Sequence, residues 1–320
     1  MTQAIENDTG GAARRSAGRL EAVLKAGYFA VTAETTPPDA ADAGAVLARV
    51  GGLKDVVDAV NVTDGAGARA HMSALAAAAI MARDGIEPTL QLTTRDRNRL
   101  ALQADLLGAA ALGIPNVLCL RGDDLSVGDQ PEATPVYDLD SRALIATARQ
   151  MRDEGTLPCG RRLATPPRLF LGAADTPLDP PPEWRPEALA AKVEAGVDFV
   201  QTQYCFDMGL LRRYLARLEE HGLIGRFHIL VGIAPLASAR SARWMNTNLP
   251  GVSIPEAVIG RLEGARDQAA EGLRICTELL QELQEIEGVA GAHLMAPRQE
   301  QAIAQAVIES GVLGERRAPE

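Results

Sequence analysis

The feature that most constrains the fold of this chain is an alternation repeated eight times between Tyr28 and Gly311. A short apolar or β-branched run is followed each time by a longer stretch of helix-forming residues. The short runs are FAVTAE, DAVNVTD, EPTLQLT, NVLCLRG, RLFLGAA, FVQTQYCF, FHILVGIAP and GAHLMAP. Between them lie expected helices over residues 66–83 and 95–112, then SRALIATARQMRDEG, RPEALAAKVEAG, MGLLRRYLARLEEHG, residues 268–286 and RQEQAIAQAVIESG. Strands separated by helices must run parallel, and eight such units close on themselves as a single α/β domain, the (β/α)8 or TIM barrel. A doubly wound open sheet is the alternative, and it leaves two edge strands uncovered.

A chain of 320 residues can bury one large core or two ordinary ones. The Pro- and Gly-rich stretches GDDLSVGDQPEATPV and GAADTPLDPPPEW fall after the fourth and fifth strands, where barrel loops belong, and read as loops rather than linkers. The expected organisation is a flexible lead over residues 1–16, the barrel over 17–311 and a flexible tail over 312–320. Aromatic residues make up only 3% of the chain against 47% apolar residues, so the core must be built from Ala, Leu, Val and Ile.

A net charge of -10 argues against a general nucleic-acid or anionic-membrane surface. No stretch of about 20 apolar residues offers a membrane span, and the first residues lack the apolar core of a signal peptide. Cys119, Cys159, Cys205 and Cys276 show no CxxC spacing, which predicts a reducing, cytoplasmic setting and no metal site.

Barrel chemistry collects where strands pass into the following loops. Glu34 ends the first run and is followed by Thr35, Thr36 and two prolines. A cap or a solvated acid is its plain reading. A carboxyl partly withdrawn from water at such a mouth is instead suited to general-acid work. Strand ends also bring Thr63, Asp64, Gln91, Arg121, Gly122, Asp123, Ala174, Gln201 and Gln203 towards one ring. Strand alternation puts Gln201 and Gln203 on one face, where two amides can read a heterocycle or satisfy backbone groups. Arg121 can neutralise Asp123 or bind phosphate, and Gly122 lets the backbone turn close to a ligand.

The chain has no GxGxxG fingerprint, P-loop, HExxH pair or GxSxG elbow. His71, expected on the helix after the second strand, His221, His228 and His293 read as structural, and Cys119 and Cys205 as buried packing.

TAETTPP, NVTDG, QLT, LRGDD with PEATPVYDLDS, KVEAG, FVQTQYCFD and VGIAPL resemble the methylenetetrahydrofolate reductase family from about Gly27 through Gly311. The resemblance implies an FAD-bearing cytoplasmic barrel of one-carbon metabolism and methionine biosynthesis. Such enzymes reduce 5,10-methylenetetrahydrofolate to 5-methyltetrahydrofolate, with NADH or NADPH as electron donor. It implies Glu34 as the acid that protonates folate near N10. Asp123 matches the carboxylate beside flavin and pterin, and Gln203 the amide that reads the pterin, with Gln201, Phe206 and Asp207 in support. Thr63, Gln91, Arg121, Gly122, Asp123, Tyr137, Ala174 and Lys192 are the implied cofactor residues.

The chain departs from the family pattern at Gln91, where histidine is common, at Thr35 and Thr36, where aromatic residues fill the site, and at Ala239, where an aromatic platform receives nicotinamide. These departures leave room for another donor or a partner flavoprotein, and a homo-oligomer is a further expectation. The competing functions are a noncatalytic folate-binding or scaffold subunit and a folate-linked methyltransferase. The second lacks a thiolate–zinc centre.

Overall fold

A computed structural model describes residues 14–314. Eight strands pair in parallel in chain order and the last returns to the first, forming a closed barrel. The strands are β1 (Ala30–Thr35), β2 (Ala59–Val62), β3 (Pro88–Thr93), β4 (Asn116–Leu120), β5 (Phe170–Asp175), β6 (Phe199–Tyr204), β7 (His228–Ile233) and β8 (Gly291–Leu294). Closure leaves no edge to protect, so the open-sheet alternative is set aside.

Helix α1 (Arg19–Lys25) precedes the barrel, and α2 (Ala43–Val50), α3 (Ala74–Arg83), α4 (Arg99–Ala111), α5 (Ser141–Arg149), α6 (Glu187–Ala195) and α7 (Met208–Glu220) follow β1 to β6 in turn. Three helices, α8 (Ala239–Asn248), α9 (Glu256–Gly264) and α10 (Gln268–Gln284), fill the β7–β8 crossover, and α11 (Glu300–Ser310) follows β8.

Two helical expectations start too early. After β2 the chain makes only a short turn at Ala66–Ala68, preceded by Gly65 with φ of 61° and containing Gly67 with φ of 63°, and α3 begins at Ala74. His71 therefore lies in the loop before α3, with Nδ1 2.6 Å from Asp39 Oδ1. After β3, Arg95 and Arg97 are held by Asp96 and Asp64, and α4 starts only where Asn98 accepts hydrogen bonds from Leu100 N and Ala101 N.

Residues just outside the expected barrel bounds pack against it at both described ends. Ser16 is buried, and its N and Oγ both donate to Glu21, which anchors residues assigned to the lead. Val312 is buried at the other end. The remainder of the lead and tail expectations, residues 1–13 and 315–320, lies outside the described residues.

The apolar matter divides into two parts. A large shell lies between strands and helices, and a smaller cluster joins Leu20, Val23 and Leu24 of α1 to Ala30, Ala59, Leu118, Phe170, Phe199 and Leu230. Helix α1 thus plugs the N-terminal end of the barrel. Glu87 secures it by accepting from Leu20 N at 2.9 Å while also receiving Asn116 Nδ2 at 2.8 Å. In the barrel interior Phe170 and Phe199 stack with centroids 5.1 Å apart. With so few aromatic residues in the chain, this pair supplies much of the bulk that fills the floor.

Gly172 lies between those two phenylalanines along β5 and β6, and a Cβ built there would come 2.3 Å from Phe199 Cζ. Gly172→Ala should therefore overpack the floor and destabilise the fold by about 1–3 kcal/mol. A urea denaturation midpoint unchanged from the native chain would show that the floor yields at no cost.

Candidate functional site

A cavity of about 380 Å³ opens where the strands end, lined by Glu34, Thr63, Gln91, Arg121, Gly122, Asp123, Ala174, Gln201 and Gln203 among others. Its depth is set by the strand pleat, which sends every second residue inwards. Above the apolar floor comes a polar layer in which Asn61, Gln201 and Thr32 bond to one another. Glu34, one inward step beyond Thr32, stands over that layer.

Glu34 is 19% exposed, and its Oε2 accepts a hydrogen bond from Gln91 Nε2 at 2.7 Å. Gln91, expected beside a cofactor, is thus turned onto the acid. His293 Nε2 lies 3.8 Å from the same oxygen. Tyr204 donates its hydroxyl to Met295 O at 2.8 Å. Burial and the nearby charge of Glu34 push the Tyr204 phenol upwards, which keeps it a neutral donor. Thr35, by contrast, points away from the cavity to Glu300 of α11, its Oγ1 donating to Oε1 at 3.0 Å.

The β4 end carries Asp123 into the mouth. Gly122 has φ of 91°, and a Cβ there would sit 3.1 Å from Arg95 Cβ and 3.2 Å from Thr93 Cβ, so glycine lets β4 turn against the β3 end. Asp123 Oδ2 accepts from Gly67 N at 2.7 Å, tying together the loops after β2 and β4. Arg121 does not neutralise Asp123; its guanidinium lies 4.5 Å over the Tyr137 ring. Tyr137 itself is outside the cavity lining, with a buried hydroxyl that has no partner. Thr63 Oγ1, inside the lining, is also buried without a partner. Asp64 is fully engaged: it accepts from Thr93 N and Oγ1 at 2.9 Å each and pairs with Arg97 at 2.7 Å.

One extra residue in β6 between Gln201 and Tyr204 shifts the register against β7 and re-aims Gln203 at the mouth. Gln203 Oε1 accepts from Tyr204 N at 3.0 Å, leaving its amide N–H groups to the cavity. Gln201 is committed below, to Asn61 and Thr32. Phe206 is buried outside the cavity and stacks with Tyr204 at 6.1 Å, while Asp207 caps α7 by accepting from Leu210 N. Lys192 lies behind the wall, its Nζ donating to Ala174 O at 2.5 Å. Cys119 and Cys205 are buried, and burial pushes each thiol up to about 12, which makes them inert.

His293 and Asp175 line the cavity but were not expected there. His293 shares the inward face of β8 with Gly291, a signal present in GAHL by alternation alone. Asp175 closes β5 and receives the Tyr214 hydroxyl, a partnership between distant segments that no local pattern announces.

Burial raises the Asp175 carboxyl above the usual carboxylate range, with the Tyr214 hydrogen bond and the Lys192 charge opposing that rise. The folded state then binds this proton more tightly than the unfolded chain. Its contribution to stability is complete below the unfolded carboxylate pKa and is lost as pH rises through the raised folded value. Asp175→Asn should accordingly gain in thermal midpoint relative to the native chain as pH climbs through that window. Melts over a series from about pH 4 to 8 would refute this if the two curves kept a constant separation.

The sequence profile described as methylenetetrahydrofolate reductase matches residues 19–311. A probable methylenetetrahydrofolate reductase (NADPH) of Caenorhabditis elegans is 25% identical over 244 residues, covering 74% of this chain and 34% of that protein. Methylenetetrahydrofolate reductase 2 of Schizosaccharomyces pombe is 26% identical over 260 residues, covering 78% of this chain and 40% of that protein. The chain thus spans between a third and two fifths of the length of these relatives. A solved structure from Clostridium thermocellum, an uncharacterised protein described as binding two copies of 5-methyl-5,6,7,8-tetrahydrofolic acid, shares the fold. Its TM-score is 0.56 at 13% identity, over 91% of this chain and 99% of that one. With a profile match that runs from α1 to the end of α11, the chain belongs to the methylenetetrahydrofolate reductase family.

Proposed function

We propose that this chain reduces 5,10-methylenetetrahydrofolate to 5-methyltetrahydrofolate, with Glu34 as the general acid. The observation that carries the reading is the placement of Glu34 in a chain of this family. It is a partly buried carboxyl at a barrel mouth, oriented by Gln91 and sharing its cavity with Asp123 and Gln203.

The substrate carries its one-carbon unit as a methylene bridge between N5 and N10. Protonation of N10 by Glu34 makes that nitrogen a leaving group; the C–N10 bond breaks and the methylene remains on N5 as an iminium. Hydride addition to that carbon gives the N5-methyl product, and Glu34 regains its proton from solvent. Glu34 thus gives one proton and takes one back in each turnover. Gln203, with its N–H groups free towards the cavity, and Asp123 suit the donor and acceptor edge of a pterin.

The residues at the β2 and β4 ends fit a flavin ring. Thr63 offers an unpartnered hydroxyl, and Gly122 allows close backbone approach. The cations that would hold a diphosphate are largely committed elsewhere: Lys192 to Ala174 O, Arg97 to Asp64, Arg95 to Asp96 and Arg99 to Asp138. Arg121, stacked on Tyr137, is an exposed arginine that lines the cavity itself. When bound, a reduced flavin supplies the hydride, with NADH or NADPH as the source of electrons.

The depleted phosphate end also favours a second reading, a folate-binding subunit that receives no hydride donor of its own or works with a partner flavoprotein. Purified protein should convert methylenetetrahydrofolate to the methyl product when given FAD and reduced nicotinamide. Glu34→Gln, which keeps an acceptor for Gln91, should retain folate binding and lose roughly 10²–10⁴-fold in kcat. Turnover of Glu34→Gln within twofold of native would sink the acid assignment. Folate binding without turnover under every donor would favour the subunit.

A further inference from the structure

The polar layer under the cavity reaches Glu34 through His293. Asn61 Nδ2 donates to Gln201 Oε1 at 2.6 Å, and Gln201 Nε2 donates to Asn61 Oδ1 and to Thr32 Oγ1, each at 3.1 Å. Thr32 Oγ1 is therefore an acceptor for the Gln201 amide and has one proton of its own to place. Two acceptors face it: Ala292 O at 3.4 Å and His293 Nδ1 at 2.9 Å. The shorter contact is the better hydrogen bond. A histidine that accepts at Nδ1 carries its proton on Nε2. In His293 that nitrogen faces Glu34 Oε2, 3.8 Å away, and the imidazole is only 3% exposed.

We propose that the Gln201–Thr32 chain holds His293 as the Nε2–H tautomer and makes it a positioning residue for Glu34. This rests on the reductase reading for its catalytic meaning, though not for the tautomer. Gln91 and His293 then present two N–H donors to the same oxygen, Oε2. A carboxyl so placed carries its own proton on Oε1, which becomes the oxygen that gives it up. As that proton departs, negative charge on Oε2 draws the His293 N–H from 3.8 Å into a charge-assisted hydrogen bond. His293 neither gains nor loses a proton in the cycle. It selects which oxygen of Glu34 is the acid and stabilises the carboxylate left behind.

The tautomer is read directly from long-range ¹⁵N–¹H correlation spectra of histidine-labelled protein near neutral pH, with the His293 signals assigned by their loss in His293→Gln. A protonated Nε2 with an unprotonated Nδ1 is expected, and Thr32→Val should release that preference. A protonated Nδ1, or an imidazolium, overturns the proposal.

In turnover assays His293→Leu should lower kcat by roughly 10²-fold with KM little changed. His293→Gln, which restores an N–H near the Nε2 position, should recover most of that loss. Equal losses in the two variants, or a change confined to KM, also overturn it. If the unmodified protein shows no turnover, the reductase reading fails, and the spectrum alone still upholds or rejects the tautomer assignment.

Discussion

The reciprocal amide pair between Asn61 and Gln201 divides the barrel into a dry floor and a reactive mouth. These residues come from β2 and β6, opposite each other in the ring, and their 2.6 and 3.1 Å contacts cross the interior. Below them α1, Phe170 and Phe199 exclude water. Above them the cavity is lined by Glu34, Gln91, Asp123, Gln203 and His293 beside the apolar Leu120, Ala174 and Met295. A buried amide left unpaired would cost more than its hydrogen bond contributes, so the pair, satisfied together with Thr32, marks the deepest level a ligand can reach. It also passes orientation upwards through Thr32 to His293.

The mouth holds several carboxylates, and their partners separate their roles. Asp64 is consumed by Arg97 and Thr93, so it braces the β2 and β3 ends. Asp175 sits in the wall with Tyr214, kept towards its neutral form by burial. Asp123 ties down the loop after β2 through Gly67 N and leaves its other oxygen to the cavity. Glu34 accepts the neutral Gln91 amide on Oε2, the same oxygen that His293 Nε2 faces at 3.8 Å, so its surroundings are one-sided. That asymmetry suits an acid, which must hold a proton on one oxygen while the other is steadied.

The architecture was legible because each strand-to-helix unit is local, and closure follows from counting such units once the strands must be parallel. The Glu34, Asp123 and Gln203 positions were legible for a related reason: each ends a strand, and strand ends converge in a barrel. What could not be read depends on contacts between distant segments. The resemblance assigns Lys192 of α6 to the cofactor, while the direction of its side chain is set by the carbonyl of Ala174 on β5. Gln91 lines the cavity as expected, but nothing in its own strand shows that Glu34, across β2, takes its amide. His71 and the start of α3 differ from the sequence reading because residues 66–83 read as one apolar run, whereas left-handed Gly65 lies before it and left-handed Gly67 breaks it near its start.

The same distinction explains why the two ends of the site differ. Ring recognition needs directional groups, and these come from strand-end side chains fixed by the pleat and by the β6 bulge. Binding of a phosphate-bearing tail needs uncommitted positive charge from loops and helix starts, and in this chain most of those arginines are already ion-paired to neighbouring acids. Freeing one would leave a carboxylate without its partner, a penalty the ligand's phosphate would have to offset before binding gained anything. In the proposed reading, the reacting end of a ligand meets fixed geometry, and among the residues that line the cavity Arg121 is the cation open to an anionic tail.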